Sequence, residues 1–117
     1  MDIEKELYKF RKILMGGFYE IIVLLILNKS ETPMYGYMIS KLIERLSYGK
    51  IKLTVGTLYP ILKKLEKKKL IRGFWAEPKQ GPPRKYYEIT DEGKEFLCKA
   101  LEIIDDLIKL VKSIRGE

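Results

Sequence analysis

The chain has no histidine and a single cysteine, Cys98, among its 117 residues. The first absence removes every histidine-dependent catalytic triad and the usual zinc spacings; the second removes any internal disulfide. Cys98 itself is expected to be a small buried side chain. Carboxamides are almost missing, Asn28 and Gln80 being the only two, while lysine and isoleucine are plentiful, a bias associated with proteins from hot environments. Glycine-rich phosphate loops are lacking too. The carboxylates Glu66, Glu88 and Asp91 stand without a histidine or a reactive-looking cysteine, so nothing proposes a reaction. The reading is therefore not an enzyme, with no cofactor and no metal.

Long apolar runs are also absent. Phe18 to Leu27 spans ten residues with Glu20 inside it, well short of the ~20 needed to cross a bilayer. The amino end opens with Asp2, Glu4 and Glu6 rather than a basic region followed by an apolar one, so a cytoplasmic protein without a signal peptide or membrane partner is expected.

What the chain does have is positive charge in one place. The formal net charge is +7, and residues 50–90 hold 11 Lys/Arg against 3 Asp/Glu, so the whole excess lies in that third of the sequence. A phosphate backbone is the natural counterpart of such a patch, because each neutralised phosphate releases condensed counterions.

The stretch from Thr54 to Ile71 organises this region. Leu58, Ile61, Leu62 and Leu65 recur at i, i+3, i+4 and i+7, one apolar stripe of a helix. Around them stand Thr57, Tyr59, Lys63, Lys64, Lys67 and Lys68, a cationic face that reads as a DNA recognition helix. Thr54 or Thr57 caps it: Pro60 is tolerated at N3 if Thr57 caps, and Gly56 four residues before the proline would also relieve its clash. Either way the positive helix end faces outward, where phosphate can sit.

A shorter helix precedes it, with Met38, Ile39, Leu42, Ile43 and Leu46 on its buried side, begun by Pro33 and capped by Thr32. Ile51 and Leu53 alternate as a short strand would. After Leu70 the period changes: IRGFWAE, the turn PKQGPP and RKYYEIT make a two-stranded hairpin with a stiff polar tip. Lys79, Arg84 and Lys85 cluster at that tip, placed to reach the sugar-phosphate edge of a minor groove. Trp75, Tyr86 and Tyr87 are expected to pack on the helices. Helix, helix, hairpin is the order of a winged helix-turn-helix.

Long helices flank this unit. Residues 3–14 put Ile3, Leu7, Phe10 and Leu14 on one face, and Gly16 with Gly17 is expected to break or bend the chain before the nearly all-apolar segment FYEIIVLLILN, with a new helix from about Phe18. Thr90 followed by Asp91 and Glu92 starts a last helix running to about Ile114. Its stripe of Leu97, Ala100, Ile104, Leu107, Val111 and Ile114, widened by Leu101 and Ile108, exceeds what one small domain covers. A twofold partner would cover it. The expected organisation is an amino-terminal amphipathic helix over residues 1–16, a winged helix-turn-helix over 17–90 and a dimerisation helix over 91–117. Leu7, Phe10, Leu97, Leu101, Ile104, Leu107, Ile108, Val111 and Ile114 form the homodimer contact. The fold class is mainly α with a small β-hairpin.

YGYMISKL from Tyr35, GTLYPILKKLEKKKLI from Gly56 and GPPRKYYEITDEGKEFL from Gly81 together resemble the PadR family of transcriptional regulators, in its short form with one carboxy-terminal helix. The resemblance implies a dimer that binds double-stranded DNA at a palindromic operator, represses transcription and is released by a small-molecule effector. It carries DNA contact to Thr57, Tyr59, Lys63 and Lys64 on the helix and to Arg84 and Lys85 on the wing; the residue pattern adds Thr54, Lys67 and Lys79. One departure stands out: the multidrug-binding branch sandwiches flat ligands with a tryptophan of its last helix, where this chain has only Phe96 as an aromatic. The competing reading is a winged-helix protein-interaction module whose basic face binds an acidic partner.

Overall fold

The computed structural model describes residues 1–117. In chain order its elements are α1 (Ile3–Lys29), β1 (Met34–Tyr35), α2 (Gly36–Leu46), α3 (Val55–Lys67), β2 (Ile71–Ala76), β3 (Arg84–Ile89) and α4 (Asp91–Arg115). The strands form one antiparallel sheet in the order β1-β3-β2, so α2, α3 and the β2–β3 hairpin make a winged helix flanked by two long helices.

Asp2 caps α1, its carboxylate accepting from the Lys5 N–H, and Glu4 and Glu6 sit at the positive end of the helix dipole. The helix is 27 residues long and runs uninterrupted through Gly16 and Gly17, so the pair does not end one helix and start another near Phe18. Two glycines cost about 1 kcal/mol each in a helix interior. Packing downstream outweighs them: Ile21, Val23, Leu24, Ile26 and Leu27 are all buried, and extending a formed helix adds a hydrogen bond for each residue fixed. The boundary drawn between residues 16 and 17 thus falls inside one helix.

Two other local expectations change. Thr32 and Pro33 do not start α2; Met34 and Tyr35 first pair with Tyr87 and Tyr86 as a third strand, and α2 begins at Gly36 with no side-chain cap. Proline pushes the preceding residue to extended geometry, which suits a strand lead-in better than a helix start. Ile51 and Leu53 form no strand. Their backbone is held by side chains instead: the Ser47 hydroxyl accepts from the Ile51 N–H at 2.9 Å, and the buried Ser40 hydroxyl donates to the Leu53 carbonyl.

The core lies where α3 meets α1, α2 and the sheet. Leu58, Leu62 and Leu65 are 0% exposed, as the helical period requires, and they share the core with Val23, Leu24, Ile39, Ile71, Tyr87 and Leu97. In α2 the buried positions are Gly36, Ile39, Ser40 and Ile43; Met38 and Leu46 turn outward.

Thr90 caps α4. Its hydroxyl oxygen accepts from the Gly93 N–H at 3.0 Å, and the hydroxyl lies 2.8 Å from the Lys69 carbonyl, tying α4 to the turn after α3. A Cβ on Gly93 would stand 2.0 Å from the Leu70 carbonyl oxygen, so only glycine permits this approach. Beyond residue 104 every residue of α4 is exposed, as are Ile3, Leu7, Tyr8, Phe10, Ile13 and Leu14 of α1. The radius of gyration is 16.4 Å, whereas a compact chain of this length has about 13 Å; these helix ends extend past the core. Leu97 belongs to the chain's own core and is withdrawn from the proposed dimer surface, and Leu101 and Ile104 are half-buried. Cys98, next to Leu97 on the helix, is exposed rather than buried. No helix is long and apolar enough to cross a membrane.

Candidate nucleic-acid interface

Thr54 settles the start of α3. Its hydroxyl accepts from the Thr57 N–H at 3.2 Å and stands 3.0 Å from the Thr57 hydroxyl, so the two threonines form one polar cluster at the positive end of the helix. Pro60 lies six residues beyond this cap, and its missing N–H leaves the carbonyl of the exposed Gly56 to solvent. The buried stripe holds the helix to the core, leaving Gly56, Thr57, Tyr59, Lys63, Lys64 and Lys67 on the open side.

Between that open side and the hairpin lies a cleft of about 790 Å³ lined by Tyr59, Lys63 and Glu66 of α3, Trp75, Arg84 and Lys85 of the hairpin, Tyr35 of β1 and Tyr37 of α2. Cross-strand pairing accounts for the hairpin's share: Trp75 is opposite Lys85 and Gly73 opposite Tyr87, and opposed residues project from the same face. Glu66 is the only carboxylate lining the cleft.

The cations divide into free and paired. Lys63, Lys67, Lys79 and Arg84 enter no ion pair within the chain, and Arg84 instead covers the Tyr35 ring at 4.4 Å. Lys64 and Lys68 lean back to Glu20 of α1 at 3.6 and 3.3 Å. The expected trio at the hairpin tip is only partly there: Lys79 lies in the turn, but Arg84 and Lys85 belong to β3. Lys85 bonds Glu66 at 2.9 Å. That hydrogen bond raises the Lys85 ammonium above its ordinary value of 10.5, against a smaller opposing effect of burial. A raised lysine value means that the pair's contribution is complete below pH 10.5 and is lost only as pH rises through the higher folded value. For the Tyr87 phenol it is burial that raises the value, keeping the group neutral.

Aromatic placement differs from expectation. Tyr87 is core and Tyr86 stacks on Phe74 at 6.2 Å, but Trp75 is 69% exposed on the cleft side. Trp75, Tyr35 and Tyr37 are thus cleft residues that sequence reasoning missed. The signal available was the alternation of Trp75 and Gly73 along β2, which puts Trp75 on the face that looks at α3.

The model of the transcriptional regulator PadR-like family matches residues 23–99. The chain belongs to that family. Among the similar PadR-family structures is a transcriptional regulator from Eggerthella lenta, 30% identical, with a TM-score of 0.74, covering 97% of this chain and 92% of that one. Bacillus subtilis PadR, solved in complex with operator DNA, is 26% identical with a TM-score of 0.62, over 70% of this chain and 45% of that one. An uncharacterized protein of Lysinibacillus sphaericus is 36% identical over 90 residues, 77% of this chain and 80% of the relative. The PadR family is a family of transcriptional regulators, and in this PadR-like chain the wing cation Lys85 is paired to Glu66 of α3.

Proposed function

We propose that the protein is a homodimeric, sequence-specific DNA-binding repressor that resides in the cytoplasm and catalyses no reaction. The observation that carries this reading is the pair of cations without an ion-pair partner, Lys63 on α3 and Arg84 on the wing, that lines one cleft of a PadR-like fold, with the exposed Lys67 on the same helix and Lys79 in the hairpin turn adding to the positive surface. The operator complex of Bacillus subtilis PadR supports it by likeness. In this reading α3 enters the major groove with Tyr59 and Lys63 toward the bases, while Thr54, Thr57 and the helix amino end hold phosphate. Arg84 and Lys79 follow the backbone on the wing side, and Trp75 lies against the sugar edge. Lys64, turned to Glu20, contributes at most to phosphate attraction.

The exposed apolar ends of α1 and α4 favour a second copy as their cover, through Leu7, Phe10, Leu107, Ile108, Val111 and Ile114. A twofold dimer would place its two recognition helices about 34 Å apart, matching a palindromic site. Repression follows if that site overlaps the promoter. Release by a small-molecule effector rests on the family likeness alone, and a thermal-shift screen on the DNA complex tests it.

The deciding experiment titrates the protein against its own upstream region and an equal-length random fragment at two salt concentrations, read by the emission of Trp75, the sole tryptophan. Preferential binding to its own region should fall by about 10³ to 10⁵ between roughly 50 and 200 mM salt if six to ten phosphates are contacted. Equal, weak binding to the two fragments would overturn the reading in favour of a protein-interaction module.

A further inference from the structure

Glu66 is out of place in a cleft meant for a polyanion. A bare carboxylate there would repel phosphate, and the cleft holds no other. The residue is nevertheless held firmly, because Lys85 reaches across from β3 and closes on it at 2.9 Å, with the two side chains only 28% and 32% exposed. Such a half-buried pair is screened by salt far less than a surface one.

Gly73 makes the pairing possible. A Cβ at this position would stand 2.6 Å from Lys85 Cε, 2.8 Å from Glu66 Oε2 and 3.1 Å from the Tyr87 ring. The lysine stem and the carboxylate thus lie directly over the glycine, in space that any other residue would occupy. The bond joins the last full turn of α3 to β3, reaching across β2, the strand that follows α3 through the turn at residues 68–70. Arg84, the neighbouring residue on β3, has no such partner and stays free.

We propose that Glu66 is a specificity-determining positioning residue, which holds the Lys85 ammonium on the recognition helix across Gly73 and so withdraws that cation from the DNA phosphates while fixing the wing against α3. The proposal rests on the DNA-binding reading above. Sequence-independent attraction to phosphate grows with every free cation, whereas base readout does not. Neutralising one wing lysine internally therefore lowers binding to random DNA more than binding to the operator, and it holds Trp75 and Arg84, on the same hairpin, at a set distance from Tyr59 and Lys63.

The test uses the full chain and the salt titration on own-region and random fragments. Glu66→Gln keeps the shape and removes the charge, freeing Lys85. Random-fragment affinity should rise several-fold, and the slope of log affinity against log salt should steepen by about 0.9 for each freed lysine that finds a phosphate. Preference for the own region should shrink accordingly. Adding Lys85→Met to Glu66→Gln should return the slope to that of the unmodified protein, whereas Lys85→Met alone should weaken binding to the two fragments, through the exposed carboxylate, at an unchanged slope. An unchanged slope in Glu66→Gln would overturn the proposal, as would a shallower slope in Lys85→Met, which would make Lys85 a direct phosphate contact. A merely structural pair would weaken binding without moving any slope. If the unmodified protein itself shows no salt-sensitive preference for its own region, the DNA-binding reading fails, a result distinct from either of these.

Discussion

The winged unit and the outer ends of α1 and α4 draw on the same leucines and isoleucines and use them in opposite ways. In α3 the apolar stripe is sealed by α1, α2 and the sheet, and Leu58, Leu62 and Leu65 have no exposed surface. Along α4, Leu107, Ile108, Leu110, Val111 and Ile114 are arranged with the same helical period, yet all are exposed. Periodicity says that a stripe will be covered; it does not say by what. The winged unit finds its cover within the chain, because α1, α2 and the sheet converge on α3. The long helices touch each other around Phe18, Ile21, Ala100 and Ile104, then run on past the last neighbour. One region is self-sufficient, and the other leaves its stripe uncovered by its own chain.

The sharpest way to break the self-sufficient half is Gly93→Ala. The added methyl would meet the Leu70 carbonyl at 2.0 Å and Ile89 Cγ1 at 2.8 Å, and the first of these is backbone that no rotamer change can move aside. Displacing α4 from the turn after α3 also strains the Thr90 bonds. A loss of about 3 kcal/mol is expected, at the upper end of overpacking effects, visible as a large drop in the thermal midpoint by circular dichroism. A midpoint close to that of the unmodified protein would show that the winged unit does not depend on this approach.

The outer ends should respond differently. Leu107→Glu combined with Val111→Glu adds charge at two positions that are more than half exposed, so helix content should survive while the proposed dimer dissociates. Sedimentation should shift to the monomer mass, and operator affinity should drop by about 10² or more, as a linked second half-site is lost. An unchanged sedimentation coefficient would mean that something other than this surface covers the stripe, or that nothing does.

Elements with a period or a punctuated turn were legible in the sequence: the α3 stripe, the hairpin around PKQGPP, and the Thr90 cap with its two acids. Features that depend on distant partners were not. A two-residue strand such as Met34–Tyr35 has no period to read, and its existence depends on Tyr86 and Tyr87 being available half a chain away. The continuity of α1 across Gly16 and Gly17 reflects burial of Ile21–Leu27, which local propensity does not contain. At the interface, residue types on the helix were readable, but the sorting of cations was not: Lys64 finds Glu20 44 positions earlier, and Lys85 finds Glu66 19 positions earlier. Sequence puts charge in a region, and folding decides which charges remain free.

The smallest effect expected sharpens the comparison from inside the winged unit, at the end of α3. Leu70 donates its N–H to the Leu65 carbonyl at 3.0 Å and Lys69 to the Glu66 carbonyl at 2.9 Å, the double closure of a Schellman motif, with Leu65 and Leu70 both buried beneath it. This geometry requires Lys69 to be left-handed, at φ 65°, and lysine rather than glycine occupies the position. A left-handed residue with a Cβ costs about 1–2 kcal/mol, partly offset in a glycine variant by the greater freedom of the unfolded chain. Lys69→Gly should therefore stabilise the protein by roughly 0.5–1 kcal/mol, a thermal midpoint higher by a few degrees. Lys69→Ala removes the same charge while keeping the Cβ, and should leave stability nearly unchanged. If alanine stabilises as much as glycine, repulsion among Lys67, Lys68 and Lys69 limits the winged unit, and the helix stop is not its strained point.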